Sequence, residues 1–110
     1  MVLAAPNPQI FISNIQKIMR IKKEFVLREV CGENVIVGEG LAALNFGKMI
    51  ALNDSAAWLW KQAQEIGDFT IEELADRLNE HYEVSIDQAR KDVTNIVSKW
   101  TNEGLVETDN

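Results

Sequence analysis

Three observations predict an α+β fold, a small antiparallel β-sheet of about three strands followed by a three-helix winged helix-turn-helix bundle. Short β-rich runs fill the first half of the chain, helical periodicity sets in at Asn53, and helix-start signals at Thr70 and Ser85 divide the second half into three helices. With 110 residues, 46% apolar and 25% charged, the chain has the size and composition of one ordinary globular domain.

Residues 24–30 and 34–37 are short β-rich runs separated by Cys31, Gly32 and Glu33, which reads as a hairpin. Leu41 to Phe46 and Met49 to Leu52 flank Gly47 and Lys48 and read as two further strands around a turn. Asn53, Asp54 and Ser55 then offer N-cap side chains to a first helix whose apolar stripe is Ala56, Leu59, Trp60 and Ala63, ended by Gly67 and Asp68. Thr70 and Glu73 form a capping box for a second helix with the stripe Ile71, Leu74, Ala75, Leu78 and Tyr82. Ser85, with Gln88 at the reciprocal position, opens a third helix carrying Ile86, Ala89, Val93, Ile96, Val97 and Trp100, and Gly104 ends it before an extended Leu105 and Val106.

Residues 1–20 are expected to lie outside the functional domain, as an extension that is disordered or not native, and residues 21–110 to form it. Pro6 and Pro8 interrupt the first segment, it lacks the basic start of a secretory signal, and Met19 before Arg20, Lys22 and Lys23 is an equally natural start. The net charge of −6 is uneven: the first 50 residues sum to +2 and the remainder to −8. A polyphosphate is repelled by such a surface, so nucleic acid is not an expected partner, whereas a basic or apolar peptide suits the second half. No window is apolar for long enough to cross a membrane, and a lone cysteine suits a reducing cytoplasm.

Residues with catalytic chemistry are scarce. His81 is the only histidine and Cys31 the only cysteine, 50 positions apart, which supplies neither a nucleophile-base pair in one motif nor the three or four N/S ligands of a zinc site. Gly38, Glu39 and Gly40 lack the third glycine and following helix of a phosphate loop. No catalytic residue, metal ligand or cofactor is expected. Trp60 and Trp100 fall on core stripes, while Trp58 lies off the Leu59 and Ala63 face, which leaves its exposure open.

The combined pattern resembles the coenzyme PQQ synthesis protein D family, the PqqD-like leader-peptide recognition elements. The matching residues are Phe25, Leu27 and Arg28; Val35, Ile36 and Val37; Leu52 to Ala57 leading to Leu59 and Trp60; Thr70 to Leu74; Leu78 to Tyr82 with Val84; and Asp92 and Val93 through Gly104, Leu105 and Val106. The order of Gly67 and Asp68 reverses the family's usual punctuation. The resemblance implies a non-catalytic adaptor that binds the leader segment of a ribosomally made precursor peptide and presents it to a modifying enzyme, of radical-SAM type or similar. It also implies that the peptide lies beside the strand preceding the first long helix. That strand is read as Lys48, Met49, Ile50, Ala51 and Leu52, whose free edge can accept a peptide by strand addition or pair with a second copy as a homodimer. Arg90, Thr94, Val97 and Thr101 on the third helix are expected to form the other wall. Two other readings are a winged-helix DNA-binding regulator, disfavoured by charge, and a small subunit completing a partner's active site.

Overall fold

The computed structural model describes residues 17–108. In chain order its elements are β1 (Met19–Ile21), β2 (Phe25–Val30), β3 (Glu33–Gly38), α1 (Leu41–Phe46), β4 (Ile50–Leu52), α2 (Asp54–Ile66), α3 (Ile71–Tyr82), α4 (Ile86–Asn102) and β5 (Val106–Thr108). The sheet of about three strands is β2-β3-β4, antiparallel throughout, with Arg28 opposite Val35 and Ala51 opposite Val35 from the other side. The hairpin turn is tighter than expected. Cys31 and Gly32 both have positive φ, 52° and 82°, which is the two-residue turn whose twist matches the strands, and Glu33 already pairs with Val30.

Helix starts follow the capping chemistry read from the sequence. The Asn53 side chain accepts from the Ala56 amide at 2.9 Å, Thr70 and Glu73 make both bonds of the capping box, and Ser85 accepts from the Gln88 amide at 3.1 Å. Gln88 does not return a bond to Ser85; its side chain donates to Asp92 instead. These caps set where each apolar stripe begins and therefore which residues meet. Leu59, Trp60, Ala63, Leu74, Ala75, Ala89, Val93 and Trp100 close over Ile36, Phe25 and Phe69 as one core. Trp60 is fully buried and meets Trp100 edge-on, ring centroids 5.1 Å apart at 81°.

Two departures have physical causes. Leu41–Phe46 is a helix, not a strand. Its residues are good helix formers without β-branching, Gly47 provides the left-handed C-cap, and Phe46 anchors it edge-on to Phe25 at 5.0 Å. Gly38 makes room for it: a Cβ there would stand 2.7 Å from the Ala42 carbonyl oxygen. The second departure concerns the domain boundary. Met19 is 4% exposed, pairs with Thr108 and exchanges backbone hydrogen bonds with Phe69, so the boundary expected after residue 20 falls inside β1. Residues 1–16 of the expected extension lie outside the described residues. The terminal extended segment is present as β5, the partner of β1.

Arg20 fastens this ribbon to the α2–α3 loop through Asp68, Nε to Oδ1 2.7 Å. The Arg20 hydrogen bond, helped by its charge, holds the Asp68 carboxyl below the usual carboxylate range. Because the folded value lies below the unfolded value of about 3.9, the contribution is present above that pH and lost as pH falls through the folded value. Urea unfolding of the native chain and Asp68→Asn should therefore differ at neutral pH and converge in acid; a constant gap down to about pH 2 would refute the pairing as its cause. A second expectation concerns the core. The Trp60 indole N–H has no hydrogen-bond partner among the described residues, so Trp60→Phe loses volume but also removes an unsatisfied donor worth about 1–3 kcal/mol. Its unfolding midpoint should fall far less than that of Trp60→Ala, which costs about 3–5 kcal/mol, and equal losses would contradict this reading of the site.

Candidate functional site

β4 is three residues long and, among the described residues, has a strand neighbour on one side only. Asn53 caps α2 immediately after it, so the chain turns away from the sheet, and the other edge of β4 has no strand partner among the described residues. Opposite that edge runs the C-terminal half of α4. Between them lies a groove of about 500 Å³ lined by Ile50, Ala51 and Leu52 on the strand side, Asn53 and Ala56 at the start of α2, and Ile96, Lys99, Trp100, Asn102 and Glu103 on the helical side. A shallower recess of about 330 Å³ continues beyond Ala51 and Leu52 toward Gly32, Glu33, Asn34 and Asp54.

The walls are apolar with charge at the ends. Ile50 and Leu52 are half-buried and Trp100 is nearly buried, so the floor is hydrocarbon and indole. Lys48 reaches across to Glu103, Nζ to Oε1 2.5 Å, and lies 5.4 Å from the Phe46 ring centroid. That ion pair joins the approach to β4 with the end of α4 and closes one end of the groove. Met49, just before the strand, is 61% exposed. Lys99 on the helical wall is exposed and has no ion pair among the described residues, whereas Glu33 and Asp54 line the recess at the opposite end.

Sequence reasoning placed Ile50, Ala51 and Leu52 on this edge, and the structure brings them to the groove. Lys48 and Met49 precede the strand instead of belonging to it. The four residues chosen on α4 do not line the groove. Arg90 donates to Glu72 of α3 at 2.5 Å and to Asp87 at 3.2 Å, a pairing that raises its already high pKa; Val97 is 3% exposed within the core; Thr101 donates to the Val97 carbonyl at 2.9 Å; Thr94 is exposed. Of the four, Arg90 is the one with a recorded side-chain bond to α3. The groove is faced by a different flank of α4, where Ile96, Lys99, Trp100 and Glu103 recur at the i, i+3, i+4 and i+7 spacing of one helix face. That spacing was the available signal, but Ile96 and Trp100 read as core alone.

Residues with catalytic potential are not gathered. Cys31 is exposed at the β2–β3 turn, and His81 stacks on Trp58 with centroids 4.2 Å apart at 11°, with Tyr82 edge-on to both. Among the described residues no group of three or more His, Cys, Asp or Glu is placed to hold a metal ion, and no helix is long and apolar enough to cross a membrane. The geometry offers a strand edge beside an apolar trough, which can hold an extended chain.

Comparison with known proteins bears on this arrangement. The family model described as coenzyme PQQ synthesis protein D (PqqD) matches residues 23–106. No curated protein sequence matches the chain. Among solved structures the fold is similar to a lasso peptide synthetase B1 complexed with the leader peptide, at 20% identity and TM-score 0.64 over 81% of this chain and 96% of that one. It is also similar to the PqqD truncation of Methylobacterium extorquens PqqCD, a functional, stand-alone recognition element for ribosomally synthesized and post-translationally modified peptides (16% identity, TM-score 0.63, 82% and 88% covered). TbiB1 in complex with the TbiA(beta) leader peptide is a third, at 18% identity and TM-score 0.63 over 80% and 94%. The family match takes in every element from β2 to the start of β5, and the chain belongs to the coenzyme PQQ synthesis protein D family.

Proposed function

We propose that this chain is a non-catalytic peptide-binding adaptor, which takes up the leader segment of a ribosomally made precursor peptide along β4 and presents it to a modifying enzyme. The observation that carries the reading is the edge of β4, unpaired among the described residues, forming one wall of a mainly apolar groove. A peptide added to that edge satisfies backbone donors and acceptors that otherwise face water, and every second side chain then enters the trough against Ile96 and Trp100. Membership of the PqqD family and the likeness to lasso peptide synthetase B1, solved with a leader peptide, support it. A radical-SAM protein is the proposed class of modifying enzyme, on family grounds, with the cytoplasm as the compartment.

In this reading the contact surface is Lys48 to Leu52 together with Ile96, Lys99 and Trp100. Arg90, Thr94 and Thr101 then stand outside the groove lining as controls. The edge can also pair with a second copy, so peptide binding and self-association would compete for it.

Titration of the isotope-labelled full chain with precursor leaders encoded beside its gene should give saturable amide shifts at Ile50 to Leu52 and at Ile96 to Trp100. Ile96→Asp should weaken binding at least about tenfold by placing an unpaired charge in the trough, while Thr94→Asp should leave it within about twofold. Of two leaders N-methylated at odd or at even positions, one should lose binding, because in that register the alkylated amides are those that donate to the strand edge. Shifts confined to α3, or tight binding of both N-methylated leaders, would refute strand addition in this groove.

A further inference from the structure

We propose that a basic cleft between β1 and the C-terminal end of α2 docks an acidic segment of a protein partner, separately from the groove. The proposal rests on the adaptor reading, because a carrier of peptides needs a second surface for the protein that receives them. Four of the chain's eleven basic side chains fall within residues 17–23, with no acidic one among them, in a chain whose net charge is −6. Three of the four, Arg20, Lys22 and Lys23, line a concavity of about 550 Å³ against Ala63, Gln64 and Gly67 of α2 and its C-cap.

The concavity is rigidly built. The Lys22 amide donates to the Leu105 carbonyl, and the Phe25 amide closes the turn onto the Lys22 carbonyl, so the two lysines project from fixed backbone. Asp68, the acidic residue in the lining, is held by Arg20. Lys22 and Lys23 make no ion pair among the described residues, whereas Arg28, Lys48, Arg77 and Arg90 are each matched by a carboxylate. Two adjacent ammonium groups left unmatched beside a bonded guanidinium attract carboxylates at short range, and Gln64 offers an amide donor alongside.

Carboxylates fit better than a nucleic acid backbone. The basic stretch covers only residues 17–23 in a chain of net charge −6, which a duplex spanning many phosphates would have to approach. The site is also independent of the groove: Ala56 lines the groove and Ala63 the cleft, seven positions or about 10 Å apart along α2, so both can be filled at once.

The test uses the labelled full chain and a synthetic hexaglutamate peptide at low ionic strength. Saturable shifts are expected at Arg20 to Glu24, Gln64 and Gly67, with none at Ile50 to Leu52. The double charge reversal Lys22→Glu/Lys23→Glu should weaken binding at least about tenfold, with Lys22→Gln/Lys23→Gln intermediate. The Ile96→Asp variant, altered only in the groove, should bind hexaglutamate unchanged. Absence of shifts, equal shifts with inorganic phosphate or a short DNA duplex, or a charge reversal without effect would each overturn the proposal. Leader binding is read separately at Ile50 to Leu52, so its failure would sink delivery of a leader while hexaglutamate binding kept the acidic docking site.

Discussion

The edge-on contact of Trp60 with Trp100 ties the interior to the groove beside β4. Trp60 is the centre of α2's buried face, and Trp100 is both its partner in the core and part of the groove floor. Moving Trp100 would shift the last turns of α4, carrying Ile96 and Lys99, relative to β4. Close-packed aromatic rings resist such sliding, because loss of even a fraction of an ångström of contact forfeits dispersion energy across two large surfaces. The spacing of the groove is thus inherited from core packing. The Lys48–Glu103 pair, more than a third exposed at both ends, adds a local tie of surface strength.

Local chemistry made the helical half readable. A capping box requires particular side chains three residues apart, so Thr70 with Glu73 and Asn53 with the Ala56 amide mark positions that tertiary contacts seldom override. Segments lacking such chemistry were misread. Leu41 to Phe46 has apolar residues, but Leu41 and Leu44 are 78% and 80% exposed, and the helix joins the Gly47 C-cap to packing of Ala42 by Gly38 and of Phe46 on Phe25, which the sequence pattern does not display. β1 was missed for a similar reason. Three residues carry no periodicity, and its existence depends on β5 and Phe69, far along the chain.

The site divides along the same line. The open edge was legible because a short strand ending at a helix N-cap has nowhere to pair on its second side. The helical wall was not. Periodicity identifies the stripe of α4 that enters the core, and on either side of that stripe lies a flank of mixed residues. Which flank faces β4 and which faces α3 depends on how α3 packs against α4, and the Arg90–Glu72 pair commits the Arg90 flank to α3. Spacing within residues 86–102 defines both flanks, but which of them faces β4 is decided by α3, outside that segment.

The shortness of β4 bears on how an adaptor of this shape would select its peptide. A three-residue edge offers about two to four main-chain hydrogen bonds, each contributing about 0.5–1.5 kcal/mol net. Even micromolar affinity corresponds to about 8 kcal/mol, reached after the cost of ordering a flexible peptide. Backbone pairing therefore sets direction and register but leaves most of the affinity to side chains buried against Ile50, Leu52, Ile96 and Trp100, at about 25 cal/mol per Å² of apolar surface. In the proposed binding mode, selectivity between peptides would lie in the α4 wall, since main-chain pairing is indifferent to sequence. Substitutions along Ile96, Lys99 and Trp100 would retune the choice of peptide without touching the strand that holds it.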